Sequence, residues 1–303
     1  MTDTTTPADL PVQAPRDKPL TPGQAMRRRA LRHRGLMFGA VVMLIVVGIA
    51  IFAPLLTQYD PYQQSLLARM KPPVFLGGTS EHWLGTDGLG RDFWARLAYG
   101  ARISLLIGIM AAVISGIIGS TLGILAGYFG GRVDMVVTFL INVRLAMPVV
   151  LVALAVVALF GGSLTVVVSV LGLLLWDRFA VVLRSATMQV RKQEYVAAAE
   201  VLGASLPRIL VKDILPNMMN NLIVIFTLEM AHAIILEAAL SFLGLGVQPP
   251  TPSWGLMISE GKDMLLFEPW LITIPGVALF FLVLAINMLG DGLRDVTAPE
   301  GRN

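Results

Sequence analysis

Six apolar blocks, each about long enough to cross a bilayer, constrain this chain more than any other feature of its sequence. They run over 36–56, 103–127, 135–160, 163–183, 218–243 and 270–290. A helix needs about 20 apolar residues to traverse roughly 30 Å of hydrocarbon. In lipid the backbone N–H and C=O groups must be paired internally, which a helix does within one segment. The expectation is an all-α membrane protein with six transmembrane helices. Of the 303 residues, 55% are hydrophobic and 14% charged, and mean hydropathy is +0.73. A soluble domain of this length needs far more charge to cover its surface.

The third and fourth blocks are separated by Gly161-Gly162-Ser163, a tight turn between antiparallel neighbours. Pro54, Pro148 and Pro275 lie in or at the ends of blocks and predict kinks there. Residues 1–24 are rich in Pro, Thr and Asp and read as disordered. Arg27, Arg28, Arg29, Arg32 and Arg34 then precede the first block, which is too long for a signal-peptide core and reads as a permanent span.

The net charge is +3. The positive charge flanks the apolar blocks, so orientation in a membrane explains it more simply than nucleic acid does. With the N-terminus in the cytoplasm, the inner segments 1–35, 128–134, 184–217 and 291–303 hold 15 Lys and Arg, and the outer segments 57–102, 161–162 and 244–269 hold 6. This bias predicts both termini inside. The resulting organisation is a cytoplasmic, partly disordered tail (1–35), a first span (36–56), an extracytoplasmic loop (57–102), a five-helix core (103–290) containing a cytoplasmic loop (184–217), and a cytoplasmic tail (291–303). The absence of cysteine excludes disulfides, thiolate metal sites and cysteine nucleophiles.

The inner loop carries helical periodicity: Tyr195, Ala198, Ala199, Leu202 and Leu206 recur at three- and four-residue spacing. Gly203 marks a bend or a close approach. Pro207 suits the first turn of a second short helix, ending before Pro216. The expectation is two short helices with a bend between them.

The stretch Glu194-Tyr195-Val196-Ala197-Ala198-Ala199-Glu200-Val201-Leu202-Gly203-Ala204-Ser205, followed by Ile214-Leu215-Pro216-Asn217, resembles the "EAA" loop of ABC importer permeases. It departs from the family pattern at Ala197, where the leading Glu is expected, and at Asp213, where peptide importers often have His. His82-Trp83-Leu84-Gly85-Thr86-Asp87-Gly88-Leu89-Gly90-Arg91-Asp92 resembles a stretch of the C-type permease subunit of dipeptide and oligopeptide importers. Glu237 to Gly246, Pro252-Ser253-Trp254-Gly255 and Asn287 to Asp295 are similar to the same subfamily.

The resemblance implies a type I ABC importer permease fold in a bacterial inner membrane, passing di- or oligopeptides into the cytoplasm. Nickel, glutathione or murein peptides are alternative cargoes. It further implies a B-type permease, ATP-binding subunits and an extracytoplasmic substrate-binding protein as partners, with ATP and Mg bound by the ATPases, no cofactor or metal in this chain, and no catalytic residue. The implied docking loop comprises Glu194, Tyr195, Ala198, Ala199, Gly203, Ala204, Ser205, Ile214, Leu215 and Pro216, with Glu237 as a gate-lining or structural residue.

Other readings are weaker. Gly85–Gly90 lacks the Gly-x-x-x-x-Gly-Lys-Ser/Thr of a phosphate loop, and Gly261-Lys262 is followed by Asp263. His82, Asp87 and Asp92 lack metal-ligand spacing and read as turn and cap residues. A secondary transporter would show paired broken helices around an intramembrane ion site. An intramembrane enzyme would need a matched nucleophile and base. Gly119, Gly123 and Gly127 are spaced for close helix packing, within the chain or between subunits. Arg144, Asp177, Arg178, Glu229, His232 and Glu237 lie in or at the edges of spans. A charge at mid-bilayer costs about 2.5–3.5 kcal/mol, so these face protein, water or an interface. Asp177 and Arg178 are expected near a cytoplasmic end.

Overall fold

The computed structural model describes residues 22–297. The expected disordered tail, 1–24, falls almost wholly outside them, as do residues 298–303. Helix α1 (Pro22–Arg32) leads into α2 (Arg34–Leu56), whose N-terminus is capped by His33: its Nδ1 accepts the Leu36 N–H at 3.0 Å. Pro54 sits in the last turn of α2, so the hydrogen bond it removes disturbs only the end of the helix.

Helix α3 (Phe93–Phe129) begins ten residues before the end of the loop expected over 57–102. Asp92 starts it, with Oδ1 accepting the Ala95 N–H at 2.7 Å. Arg96 and Arg102 interrupt the apolar run here without interrupting the helix. At 1.5 Å per residue, α3 is roughly 55 Å long, and it packs against α2, α4 (Gly131–Ala146), α6 (Leu164–Leu174), α7 (Trp176–Val190), α10 (Met219–Phe242) and α11 (Trp254–Gly261).

The seam between α3 and α7 (Trp176–Val190) explains the spaced glycines. A Cβ on Gly119 would lie 2.1 Å from the Trp176 carbonyl oxygen, one on Gly123 2.6 Å from that of Ala180, and one on Gly127 2.6 Å from that of Arg184. The stripe therefore serves packing within the chain: hydrogen side chains let the two backbones touch.

The third block is not one straight span. Helices α4 (Gly131–Ala146) and α5 (Val149–Phe160) meet at 82°. Pro148 forces its predecessor Met147 out of the helical region, to φ −92 and ψ 126. The fourth span, Leu164–Val190, is also interrupted, at Leu175 (φ −104, ψ 13), between α6 (Leu164–Leu174) and α7. One side chain serves both interruptions: the Arg144 Nε–H donates to the Leu174 carbonyl oxygen at 2.5 Å, and Nη1 lies 3.5 Å from that of Met147. Among the described residues, five helices are individually long and apolar enough to cross a membrane, and the bent pair supplies a sixth crossing.

Helix α8 (Glu194–Val201) is the first short helix of the inner loop. The second does not stop before Pro216. Helix α9 (Leu206–Arg208) passes through a π-helical turn (Ile209–Ile214) and a 3₁₀ turn (Leu215–Met218) directly into α10 (Met219–Phe242). Pro216 removes one donor, and the widened and then tightened turns take up the mismatch without ending the helix. Helix α11 (Trp254–Gly261) then precedes α12 (Trp270–Thr297), which continues seven residues into the segment expected as a tail from 291.

Among the described residues four apolar clusters hold the bundle, the smallest of them, Ala126, Val137, Ile141 and Ala180, joining α3, α4 and α7. Of the others, one joins α2, α3, α10, α11 and α12, with Phe93, Trp254 and Trp270 buried in it. A second joins α3, α5, α6 and α10. The third lies beneath α8.

Residues 57–92 fold into a cap over the start of α3. Asp87 is its centre. One of its oxygens accepts the Leu89 and Arg91 N–H groups at 2.9 and 3.0 Å, and the other accepts Arg91 Nε–H at 2.6 Å and Arg96 Nη1–H at 2.5 Å. Both arginines also reach Glu260 of α11. His82 Nδ1 lies 2.8 Å from Asp92 Oδ2. Gly90 takes φ +72, and a Cβ there would lie 1.8 Å from the Ser65 carbonyl oxygen. The Gly- and Asp-rich stretch is thus a structural clasp. Burial pushes the Asp87 carboxyl up, but Arg96, Arg91 and the two backbone donors outweigh it and hold the group below its ordinary value.

Candidate functional site

Helix α8 is held from one side and open on the other. Val196 is fully buried, against a cluster that includes Tyr128, Leu183, Ile209 and Ile214. The Tyr128 hydroxyl, at the end of α3, donates to Glu200 at 2.8 Å, and the Arg191 guanidinium lies 5.1 Å over the Tyr128 ring. These contacts lash the short helix to two long ones.

The opposite face points outward. Tyr195 and Ala198 are exposed, Val201 is 88% and Leu202 86% accessible. Two large aliphatic side chains thus stand open together at the end of the helix.

Gly203 terminates α8 with φ +76. The Ala204 N–H reaches back to the Ala199 carbonyl at 3.0 Å and the Gly203 N–H to that of Glu200, also at 3.0 Å. This is a Schellman ending, which requires a left-handed residue at the position Gly203 fills. Nothing in the chain lies within 4 Å of where its Cβ would be. Of the two readings, bend or close approach, the backbone one has a visible cause here.

The expected docking residues therefore divide. Glu194, Tyr195, Ala198, Gly203 and Ser205 lie exposed on one short helix and its ending, with Ala199 and Ala204 half-buried beneath. Ile214 is completely buried and Leu215 half-buried, so they anchor the segment; Pro216 is exposed. The apolar periodicity was legible in sequence, but which side it faced was not. Val196 and Tyr128, which do the anchoring, escaped because their partners are distant: Tyr128 and Glu200 are 72 residues apart.

The charged residues of the spans also sort by geometry. Arg184 of α7 pairs with Asp134 of α4. Arg144 Nη2 lies 3.8 Å from Asp177 Oδ1, both buried. Asp177 and Arg178 open α7, whose other end, Val190, leads into the inner loop. Arg178 Nη1 lies 3.1 Å from Glu229 Oε1.

Glu237 occupies a structural position. It is buried, and its Oε1 accepts the hydroxyls of Ser241 and Ser253, each at 2.8 Å. Ser253 in turn caps α11, accepting the Leu256 N–H at 3.1 Å. A Cβ on Gly255 would lie 2.8 Å from Glu237 Oε2. The carboxyl is thus seated at the N-terminus of α11, where the aligned peptide dipoles favour an acceptor.

Comparison with known proteins accords with this geometry. A family model described as "Binding-protein-dependent transport system inner membrane component" matches residues 119–302, and "N-terminal TM domain of oligopeptide transport permease C" matches residues 21–73. The chain is 42% identical over 272 residues to the di/tripeptide transport system permease protein DppC of Pseudomonas aeruginosa (strain UCBPP-PA14), covering 89% of this chain and 90% of the relative. It is 38% identical over 294 residues to the glutathione transport system permease protein GsiD of Pectobacterium atrosepticum, covering 97% and 96%. It is 37% identical over 266 residues to the oligopeptide transport system permease protein OppC of Bacillus subtilis (strain 168), covering 88% and 86%. Among solved structures, an inward-facing MetNI methionine ABC transporter matches with a TM-score of 0.57 at 17% identity, over 68% of this chain and 98% of that one, a likeness of fold. This chain belongs to the family of binding-protein-dependent transport system inner membrane components: it is a multi-pass permease subunit of an ABC importer and not an enzyme.

Proposed function

We propose that this chain is one half of the translocation pore of an ATP-driven importer of di- or oligopeptides, with α8 as the element through which ATPase subunits move it. The carrying observation is the exposed apolar end of α8, with Tyr195, Val201 and Leu202 outward, on a helix lashed to α3 through Tyr128–Glu200. A partner seated there can displace a long helix without loss in a flexible linker. ATP and Mg then belong to the partner ATPases. A B-type permease completes the pore, a binding protein delivers cargo to the end of the bundle bearing residues 57–92, and both termini lie in the cytoplasm. The names of the relatives support the cargo class; the similarity to GsiD keeps glutathione, itself a tripeptide, as the second reading.

The chain contains no cysteine, so single-cysteine labelling is unambiguous. A cysteine at Ser205 should react with an impermeant maleimide in inside-out vesicles and not in intact spheroplasts, and added ATPase subunit should protect it. Labelling in intact spheroplasts overturns the orientation, and absence of protection overturns the docking role. Uptake of labelled tripeptides by the reconstituted complex tests the cargo.

A further inference from the structure

A groove of about 440 Å³ lies between α7, α10 and the end of α12. Its walls include Val182, Val224 and Leu228, and Asn220, Asn221 and Arg294 line it at the end nearest the inner loop. The size falls in the range of small-molecule sites, roughly 300–1,000 Å³. One helical turn deeper along the same two faces, Val182 is followed by Arg178 and Leu228 by His232, because residues four apart lie on one face.

Arg178 is built differently from Arg144. Arg144 is buried and directed at a carbonyl oxygen and Asp177. The Arg178 side chain is 55% exposed, while its partner Glu229 is 0% exposed and holds it at 3.1 Å by one nitrogen. The other Glu229 oxygen lies 3.3 Å from His232 Nδ1, on a ring that is 27% exposed. A guanidinium has five N–H donors in a planar fork suited to a carboxylate. The buried carboxylate holds one terminal nitrogen, Nη1, and leaves Nη2 and Nε for a ligand. Arg178 precedes Val190 by twelve residues and Glu229 follows Met219 by ten, roughly 15–18 Å along the two helices, which places the pair within the apolar blocks 163–183 and 218–243 rather than in the loop between them. An open cation at that depth faces a watery path or an interface, not lipid.

We propose that Arg178, oriented by Glu229, is a carboxylate-binding point on the substrate path, taking the C-terminal carboxylate of a passing peptide. The proposal rests on the peptide-importer reading above. A peptide leaving water carries its carboxylate into a region where an unpaired charge is costly, and Arg178 offers the counter-charge. Glu229 itself is inaccessible, so the anionic end of the cargo is recognised here and the ammonium end is not.

The test uses the assembled transporter in proteoliposomes. Tripeptides carrying a photoreactive diazirine residue at either the C-terminal or the N-terminal position are imported, irradiated and mapped by mass spectrometry, and uptake is measured for wild type, Arg178→Gln, Arg178→Lys and Glu229→Gln. We expect the C-terminal probe to label α7 around Arg178 and Val182 and the N-terminal probe to label elsewhere. Arg178→Gln should lower uptake about ten-fold, the loss of one charge-assisted hydrogen-bonded pair, with Arg178→Lys recovering part of it. Glu229→Gln should weaken the C-terminal labelling while partner capture stays at the wild-type level. Undiminished uptake by Arg178→Gln overturns the proposal. So does equal labelling by both probes, or loss of the partner permease on purification of Arg178→Gln, which would make Arg178 an interface residue. Failure of the wild-type complex to import any peptide defeats the peptide reading instead.

Discussion

Replacing Gly203 separates two causes that the sequence left joined. Its φ of +76 is a conformation that costs a residue with a Cβ about 1–2 kcal/mol, while nothing in the chain lies within 4 Å of that Cβ. Gly203→Ala should therefore loosen the ending of α8 by about 1 kcal/mol or more. Asparagine tolerates the left-handed region better than alanine does, so Gly203→Asn should do less harm despite its larger side chain. A close contact with the partner would reverse that order, because it penalises size. The assay is capture of the ATPase by the purified permease pair, read as an apparent Kd, beside amide exchange at Ala204, whose N–H bonds Ala199 at 3.0 Å. A penalty of 1 kcal/mol is about a five-fold weaker Kd. If Asn weakens capture more than Ala, or if Ala leaves exchange at 204 unchanged, backbone strain is not why glycine stands there.

Two further expectations follow from the packing and the clasp. Gly119→Ala puts a methyl 2.1 Å from the Trp176 carbonyl and must separate α3 from α7, at the upper end of the roughly 1–3 kcal/mol typical of overpacking; a wild-type melting temperature in detergent would refute the seam. Asp87 has its carboxyl held low, so its contribution to the cap is complete above the unfolded value of about 3.9 and is lost as pH falls through the lower folded value. Amide protection over 65–92, taken relative to the intrinsic exchange rate at each pH, should fall below about pH 4 and, in Asp87→Asn, already at neutral pH; equal protection at pH 3 and pH 7 would exclude Asp87 as the clasp.

The apolar blocks announced the spans because hydrocarbon leaves few alternatives. Helix starts and breaks were harder to read. Phe93–Arg102 looked like loop because Arg96 and Arg102 lower its hydropathy, although Asp92, a good N-cap, was visible. Pro148 marked the broken third span, but the 82° turn also depends on Arg144 reaching Leu174, 30 residues away. Pro216 looked like a stop, yet the π turn ending at Ile214 and the 3₁₀ turn beginning at Leu215 carry the helix through it. In the inner loop, spacing identified the helix, and neither the burial of Val196 nor the exposure of Leu202 could be deduced without knowing that Tyr128 and Ile209 lie beneath. Pairings such as Arg178 with Glu229 are of the same kind: each residue was conspicuous, and only the packing of α7 on α10 made them a unit.

The unbroken length of α3 has a mechanical consequence. It is a rod of roughly 55 Å with the cap clamped to one end through Arg96 and α8 tied to the other through Tyr128. Its neighbours across the membrane are jointed at Met147–Pro148 and at Leu175. A torque applied at α8 therefore has a stiff member to turn and compliant ones to turn against. Tilting a rod of this length by 10° sweeps its far tip through roughly 10 Å. A stroke at the α8 end of the rod would thus reach the cap, and a covalent brake placed on the cap would stall it.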